Sequence, residues 1–260
     1  MSMYGTNGPP PGPGQPFGSG QHQFGGDQPG YAAPTRSVPV AQADADTRAT
    51  FIGRVYMHLL MAVLTFTAIE IALFMSGVAD DVADYMLELP WLLILGAFVI
   101  AGMVASKAAY QVESIQAQYA GLFGYVAIWS ILFLPLLTYA NEQAPGAIES
   151  AAFFTILAFA GLTAIVWFTK ADFSFLRPVV MFGGLLAILA IVGGAIFGFQ
   201  LGLWFMVAMV GLAGASILWT TSRVLREFPE DRYVGAALEL FASVALMFYY
   251  LLMIFAGSRR

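Results

Sequence analysis

Residues 178–219, PVVMFGGLLAILAIVGGAIFGFQLGLWFMVAMVGLAGASILW, form a stretch of 42 residues without a charged side chain. A helix needs about 20 apolar residues to cross the hydrocarbon core of a bilayer. This stretch is therefore too long for one span and about right for two. We place a tight hairpin between the two spans, near Gly198 to Gly202.

The rest of the chain contains further apolar runs of similar length. Hydrophobic residues make up 59% of the sequence and the mean hydropathy is +0.76, above the apolar share of ordinary soluble domains. We predict an all-α membrane protein, a seven-transmembrane-helix bundle. Its spans are 51–76, 90–106, 119–140, 150–168, 178–198, 201–219 and 234–256.

The basic residues lie at alternate ends of these spans. The connections after spans one, three and five carry no Lys or Arg. Positive charge favours the cytoplasmic side, so the N-terminus is predicted to be cytoplasmic. Seven spans then place the C-terminus outside, where Arg259 and Arg260 are unfavourable; a last span that re-enters is the alternative. The nine basic residues on the predicted cytoplasmic side are Arg36, Arg48, Arg54, Lys107, Lys170, Arg177, Arg223, Arg226 and Arg232.

The N-terminal segment has a different composition. Residues 1–47 are dominated by Gly, Pro and Gln and lack helical or strand periodicity. Such a segment cannot bury enough apolar surface to offset its ordering entropy. We predict a disordered cytoplasmic tail over 1–47 and a transmembrane domain over 48–260.

The connection at 77–90, GVADDVADYMLELP, is acidic and contains no basic residue. Its carboxylates are those of Asp80, Asp81, Asp84 and Glu88. Two interpretations stay open. The segment either concentrates cations at the mouth of a pathway or is a solvated acidic loop.

Ionisable side chains inside spans are costly and therefore mark candidate functional positions. Three form a possible ion or proton pathway: His58 and Glu70 in the first span and Glu239 at the start of the seventh. His58 and Glu70 also have structural explanations, as a hydrogen-bonded histidine and an interfacial carboxylate. Glu239 precedes Ser243 by one turn, so both side chains lie on the same helix face.

Sequence motifs of membrane-embedded enzymes are missing. The chain contains no HExxH, no GxSxG in a span, no pair of aspartates in a span and no P-loop, and it has no cysteine. We therefore predict a non-enzymatic protein with no cofactor and no catalytic or structural metal site.

The segment TKADFSFL at 169–176 resembles a characteristic inner loop of the Bax inhibitor-1 family, in particular its bacterial YccA-like branch. Four other segments resemble the same family in the same order: FIGRVYMHLLMAVLTFTA, YAGLFGYVAIWSILFLPLL, GASILWTTSRVL and YVGAALELFASVALMFYYLL. The resemblance covers nearly everything after residue 48. In the loop motif, we expect Lys170 to anchor at the cytoplasmic interface and Asp172 to cap the next helix.

The resemblance implies a bundle in which one central helix is surrounded by the others. It also implies a pair of aspartates, in spans six and seven, that many members use for a pH-sensitive calcium leak. Here those positions are occupied by Thr220 and Ser243. Hydroxyls do not titrate near neutral pH and bind calcium weakly, although Glu239 is a candidate for a displaced carboxylate.

The YccA-like branch implies modulation of a membrane-bound AAA+ protease, the FtsH-like protease, in a bacterial inner membrane. A stress-related modulator of such a protease is therefore the first functional hypothesis, with the lipid bilayer and the protease as partners. The alternative is a cation leak channel for calcium, or a proton/cation exchanger, that uses Glu70 and Glu239.

Overall fold

The computed structural model describes residues 39–110 and 114–257. These residues form eight α-helices and two short 3₁₀ helices, and within them there is no β-strand. In chain order, the elements are a 3₁₀ helix at Val40–Gln42, α1 (Ala45–Ser76), α2 (Val78–Glu88), α3 (Trp91–Ala109), α4 (Ile115–Gln143), α5 (Ala147–Thr169), α6 (Leu176–Phe197), α7 (Leu203–Arg226), a 3₁₀ helix at Glu230–Arg232, and α8 (Tyr233–Gly257).

Seven of the described helices, all except α2, are long and apolar enough to cross a membrane. The predicted seven-helix membrane bundle is therefore confirmed. The predicted hairpin near Gly198 to Gly202 is also confirmed. Helix α6 ends at Phe197, Gly198 adopts a left-handed conformation with φ of 73°, and α7 begins at Leu203.

The first helix begins earlier than the apolar pattern indicated. Asp44 caps α1 by accepting a hydrogen bond of 2.8 Å from the backbone N–H of Thr47, a strong helix start signal. Residues 39–47, which composition alone assigned to the tail, are folded: Val40 is fully buried and its N–H donates to the carbonyl of Phe228 at 2.9 Å. The rest of the predicted tail, residues 1–38, lies outside the described residues.

The expected acidic loop at 77–90 is instead largely helical, as α2. Ala79, Ala83 and Met86 recur on one face and are buried, which is the spacing of an amphipathic helix. This face packs against α4 and α1. The four carboxylates of the segment are exposed on the other face. The segment is too short and too charged to cross a membrane, so its apolar face is not visible in the hydropathy pattern that identifies the spans.

Helix α8 is the central element of the bundle. It packs against α1, α3, α4, α5 and α7, and it is buried along most of its length. An aromatic cluster joins it to α1 and α4: the rings of Phe133 and Phe248 stack with centroids 5.3 Å apart, and Phe66 meets Phe133 edge-on at 5.1 Å. By contrast, Ala187 is the only buried residue among the described residues of α6, as expected of a helix at the edge of the bundle that faces lipid.

Helices α3 and α4 approach each other unusually closely. A Cβ atom on Gly121 would lie 2.4 Å from the backbone nitrogen of Ala109 and 2.6 Å from the carbonyl oxygen of Ala105. Small residues at such crossings allow backbones to pack in direct contact. This contact fixes the C-terminal end of α3 against α4.

Candidate functional site at the junction of α7 and α8

A charged cluster joins the end of α7 to the start of α8. The Arg223 guanidinium lies 2.6 Å from the Oε2 atom of Glu239, and the two side chains are 23% and 26% exposed. Glu227 provides a second carboxylate, 3.4 Å from the Nε atom of Arg223. A partly buried pair of this kind is less screened by solvent than a surface pair.

Two aromatic rings hold the same guanidinium. Its central carbon lies 5.0 Å from the ring centroid of Trp219 and 4.5 Å from that of Phe228, both within cation–π range. Phe228 belongs to the connection between α7 and α8 and also accepts the hydrogen bond from Val40. The arginine, the connection and the first 3₁₀ helix therefore form one packed unit.

The remaining oxygen of Glu239 is also occupied. The hydroxyl of Tyr110, at the end of α3, donates a hydrogen bond to Glu239 Oε1. The carbonyl of Tyr110 accepts from Arg232 at 3.0 Å. The absence of a side chain at Gly235 permits this arrangement, because a Cβ there would lie 3.0 Å from the Tyr110 ring. Glu239 is thus tied to α3 and α7 together.

One turn further along α8, the hydroxyl of Ser243 lies 2.8 Å from that of Ser216 and donates to the Glu239 carbonyl at 3.0 Å. The hydroxyl that meets Ser243 is therefore that of Ser216, one turn before Thr220. Thr220 itself is buried, at 2% exposure. Sequence reasoning missed Ser216, although its spacing of four residues from Thr220 places both on one face of α7.

The loop that carries the family motif packs against α7. Arg226 donates to the carbonyl of Lys170 and lies 3.7 Å from Asp172, and Ser222 accepts from the Phe173 N–H at 3.3 Å.

Asp172 does not cap α6 as predicted, because Phe175 occupies the position before that helix. Its carboxylate closes a local turn instead, and it accepts from the Ser174 hydroxyl at 2.5 Å and the Ser174 N–H at 2.9 Å. The hydrogen bond from the Ser174 hydroxyl lowers the pKa of Asp172 below its ordinary value of 3.8.

The three residues of the predicted pathway are not brought together. His58 Nδ1 donates to the carbonyl of Arg54 at 2.7 Å, and His58 Nε2 lies 2.8 Å from the hydroxyl of Tyr119. Nδ1 is therefore used within α1, and Nε2 joins α1 to α4. Glu70 lies about 18 Å further along α1, at 1.5 Å per residue, in a separate cavity. Glu239 has different neighbours again, Tyr110 and Arg223.

The described residues hold no group of three His, Cys, Asp or Glu side chains that fits a metal ion. At the α7–α8 junction, the arrangement holds the Glu239 carboxylate in an ion pair with Arg223. The place where two hydroxyls meet, Ser216 and Ser243, contains no titratable side chain.

Comparison with known proteins adds one finding. The family model described as "Inhibitor of apoptosis-promoting Bax1" matches residues 48–260, a range that contains nearly all of α1 and every later helix. No curated protein matches the chain.

Proposed function

The chain belongs to the Bax inhibitor-1 family, and we propose that it is a YccA-like, non-enzymatic modulator of an FtsH-like membrane AAA+ protease. It is an integral, multi-pass membrane protein. The observation that carries the proposal is the ion pair of Arg223 with Glu239 at 2.6 Å. The Glu239 carboxylate is thus bound to Arg223 and is not free to replace the family's aspartate pair, whose positions are occupied here by the hydroxyl residues Thr220 and Ser243. This argues against a calcium leak and favours the protease modulator.

The way the chain enters the bundle supports a role for the N-terminal segment. Val40 is anchored to Phe228, and Phe228 packs on Arg223. The described part of the chain therefore begins at the α7–α8 junction. A protease that draws on the chain from its N-terminal side would reach the charged cluster first.

The contacts at this end of the bundle are consistent with a common cytoplasmic location for these features, and the YccA-like resemblance implies a bacterial inner membrane. Lys170 lies in the connection between α5 and α6, and Arg226 and Arg232 both lie at the α7–α8 junction. Arg226 donates a hydrogen bond to the Lys170 carbonyl, and Arg232 donates one to the carbonyl of Tyr110 at the end of α3. A cluster of basic residues at one end of a bundle is what the positive-inside rule expects. The contact of Val40 with Phe228 at this end supports the proposed cytoplasmic side for the N-terminus.

The proposal is tested by reconstituting the purified full chain with an FtsH-like protease and a membrane substrate. We expect the wild-type protein to change the degradation rate of the substrate. Val40→Asp should lose this effect, because it places a carboxylate in a fully buried position and releases the segment from Phe228. The matched control is Val78→Asp, at a position that is 42% exposed. A degradation rate that is the same with and without the wild-type protein contradicts the proposal.

A cation leak through the bundle is the second candidate. The observation that favours it is the position of the Glu239 carboxylate, one turn from the Ser216–Ser243 contact; a leak would require a cation to displace Arg223 from this carboxylate. The test is calcium flux into dye-loaded vesicles at about pH 6 and about pH 8. A flux that Glu239→Gln abolishes supports this role, and the same measurement with Glu70→Gln asks whether Glu70 contributes. No flux at either pH from folded protein rejects it.

A further inference from the structure

The carboxyl group of Glu70 is buried without a partner. Glu70 is 7% exposed, and neither carboxylate oxygen has a hydrogen-bond partner among the described residues. Buried polar atoms are satisfied in most proteins, so an unsatisfied pair calls for an explanation. A carboxyl group in apolar surroundings is costly unless a donor or a counter-charge reaches it.

Glu70 faces a cavity of about 410 Å³ between α1, α4, α5 and α8, a volume within the range of small-molecule sites. Apart from Glu70, the polar side chains of its lining are Thr67 and Thr155. Both hydroxyls donate to carbonyls of their own helices, at 2.9 Å to Val63 and 2.7 Å to Ala151. Their protons are therefore not available to Glu70. Glu70 therefore presents its two carboxylate oxygens to the cavity with no donor from the described residues.

The cavity opens on the apolar surface of the bundle. Ile71 on α1 and Ile156 on α5 line it and are 54% and 69% exposed. Nearer the other end of the bundle, α1 and α5 meet through Tyr56 and Trp167, whose rings lie 6.1 Å apart. The two helices thus make contact at one end, and the cavity opens beside α1 and α5 at the other. A ligand dissolved in the bilayer reaches the carboxyl group without crossing the protein.

We propose that this cavity binds a hydrophobic primary amine, with its ammonium group on Glu70 and its apolar body along the cavity wall. An ammonium group carries three donors and no acceptor, so it satisfies both oxygens of Glu70 and compensates the charge. The rings of Phe66, Phe241 and Phe248 line the cavity and suit both an alkyl chain and a neighbouring cation. Divalent cations such as calcium require six or more oxygens, whereas one carboxylate and two hydroxyls supply four.

The test uses the full chain in phosphatidylcholine vesicles and a dodecylamine probe that carries a photoreactive diazirine. We expect light to attach the probe to peptides of α1, α5 and α8, and unlabelled dodecylamine to compete. Glu70→Gln should reduce labelling by about tenfold or more, because a charge-assisted hydrogen bond is lost. Glu88→Gln is the matched control, since Glu88 lies exposed on α2.

Two further measurements separate recognition of the ammonium group from general solubility in an apolar cleft. The corresponding dodecanol probe should label the wild type weakly and Glu70→Gln to the same extent. Ala152→Phe, which fills the cavity and leaves Glu70 in place, should reduce amine labelling. The proposal is overturned by amine labelling that Glu70→Gln leaves unchanged, or by equal labelling with amine and alcohol. Neither result bears on the protease assay, which tests the other end of the bundle.

Discussion

The guanidinium of Arg223 and the carboxylate of Glu239 meet at 2.6 Å across the junction of α7 and α8, and both belong to larger contacts. Arg223 lies against the rings of Trp219 and Phe228, and Glu239 accepts from the Tyr110 hydroxyl. This pair therefore links α3, α7, α8 and the connection that anchors Val40. Four parts of the bundle thus meet at one ion pair.

We expect Arg223→Gln and Glu239→Gln each to lower the free energy of unfolding by about 1–3 kcal/mol, because each leaves a partly buried charge without its partner. The double variant should lose less than the sum of the two. Denaturant unfolding in lipid micelles measures this as a double-mutant cycle. The comparison pair is Arg226 and Asp172, which lie 3.7 Å apart and are more exposed; their coupling should be below about 1 kcal/mol. Additive losses for Arg223 and Glu239 contradict the expectation.

Aspartate substitutions test whether Ser216 or Thr220 of α7 faces Ser243 of α8. In the double variant Ser216→Asp with Ser243→Asp, two carboxylates replace hydroxyls that are 2.8 Å apart. Two carboxylates this close repel each other when both are ionised, and a proton on one of them relieves the repulsion. Stability should therefore be greatest at low pH and should fall as the pH rises and both become charged. Thermal unfolding at a series of pH values measures it. The same experiment with Thr220→Asp and Ser243→Asp should show a smaller effect, and the reverse order would mean that Thr220 faces Ser243.

The close contact between α3 and α4 predicts opposite effects for two glycines of one helix. Gly121→Ala should lower the free energy of unfolding by about 1–3 kcal/mol, because the new Cβ overlaps the backbone of Ala105 and Ala109. Gly124→Ala should raise it by about 0.5–1 kcal/mol, since alanine is the better helix former and a Cβ there meets nothing within 4 Å. Thermal unfolding of both variants, prepared in parallel, decides the matter. Equal stability of the two variants would show that the helices are further apart.

The turn at Asp172 predicts a pH effect outside the membrane. The Ser174 hydroxyl lowers the pKa of Asp172 below 3.8, so Ser174→Ala should move that pKa back towards 3.8. A lowered pKa stabilises the fold above the pKa of the unfolded state, and this stability is lost as the pH falls through the lower, folded value. The stability difference between wild type and variant should therefore narrow only below about pH 4. A carbon-13 titration of the Asp172 carboxyl group measures the shift. Ser150→Ala, whose hydroxyl bonds the Gly146 carbonyl, should leave it unchanged.

Much of the fold is determined by the sequence alone. The number of membrane helices follows from the lengths of the apolar runs, because a helix must span a hydrocarbon layer of fixed thickness with its backbone groups paired internally. The hairpin at 198–202 follows from the same constraint, applied to a stretch of 42 uncharged residues. The sequence alone did not predict the amphipathic helix α2. This helix lies outside the membrane spans, has only 11 residues, and carries its three buried positions among acidic residues.

Only the tertiary structure decided what the polar side chains do. Glu239 pairs with Arg223, 16 residues away, and with Tyr110, 129 residues away, and nothing in the local sequence indicates the second partner. Ser216 rather than Thr220 meets Ser243, because the rotation and offset of α7 against α8 set which turn of one helix faces the other. Glu70 has no partner among the described residues because the surrounding helices present apolar faces to it. Span lengths are properties of single segments, whereas these contacts depend on how several segments pack together.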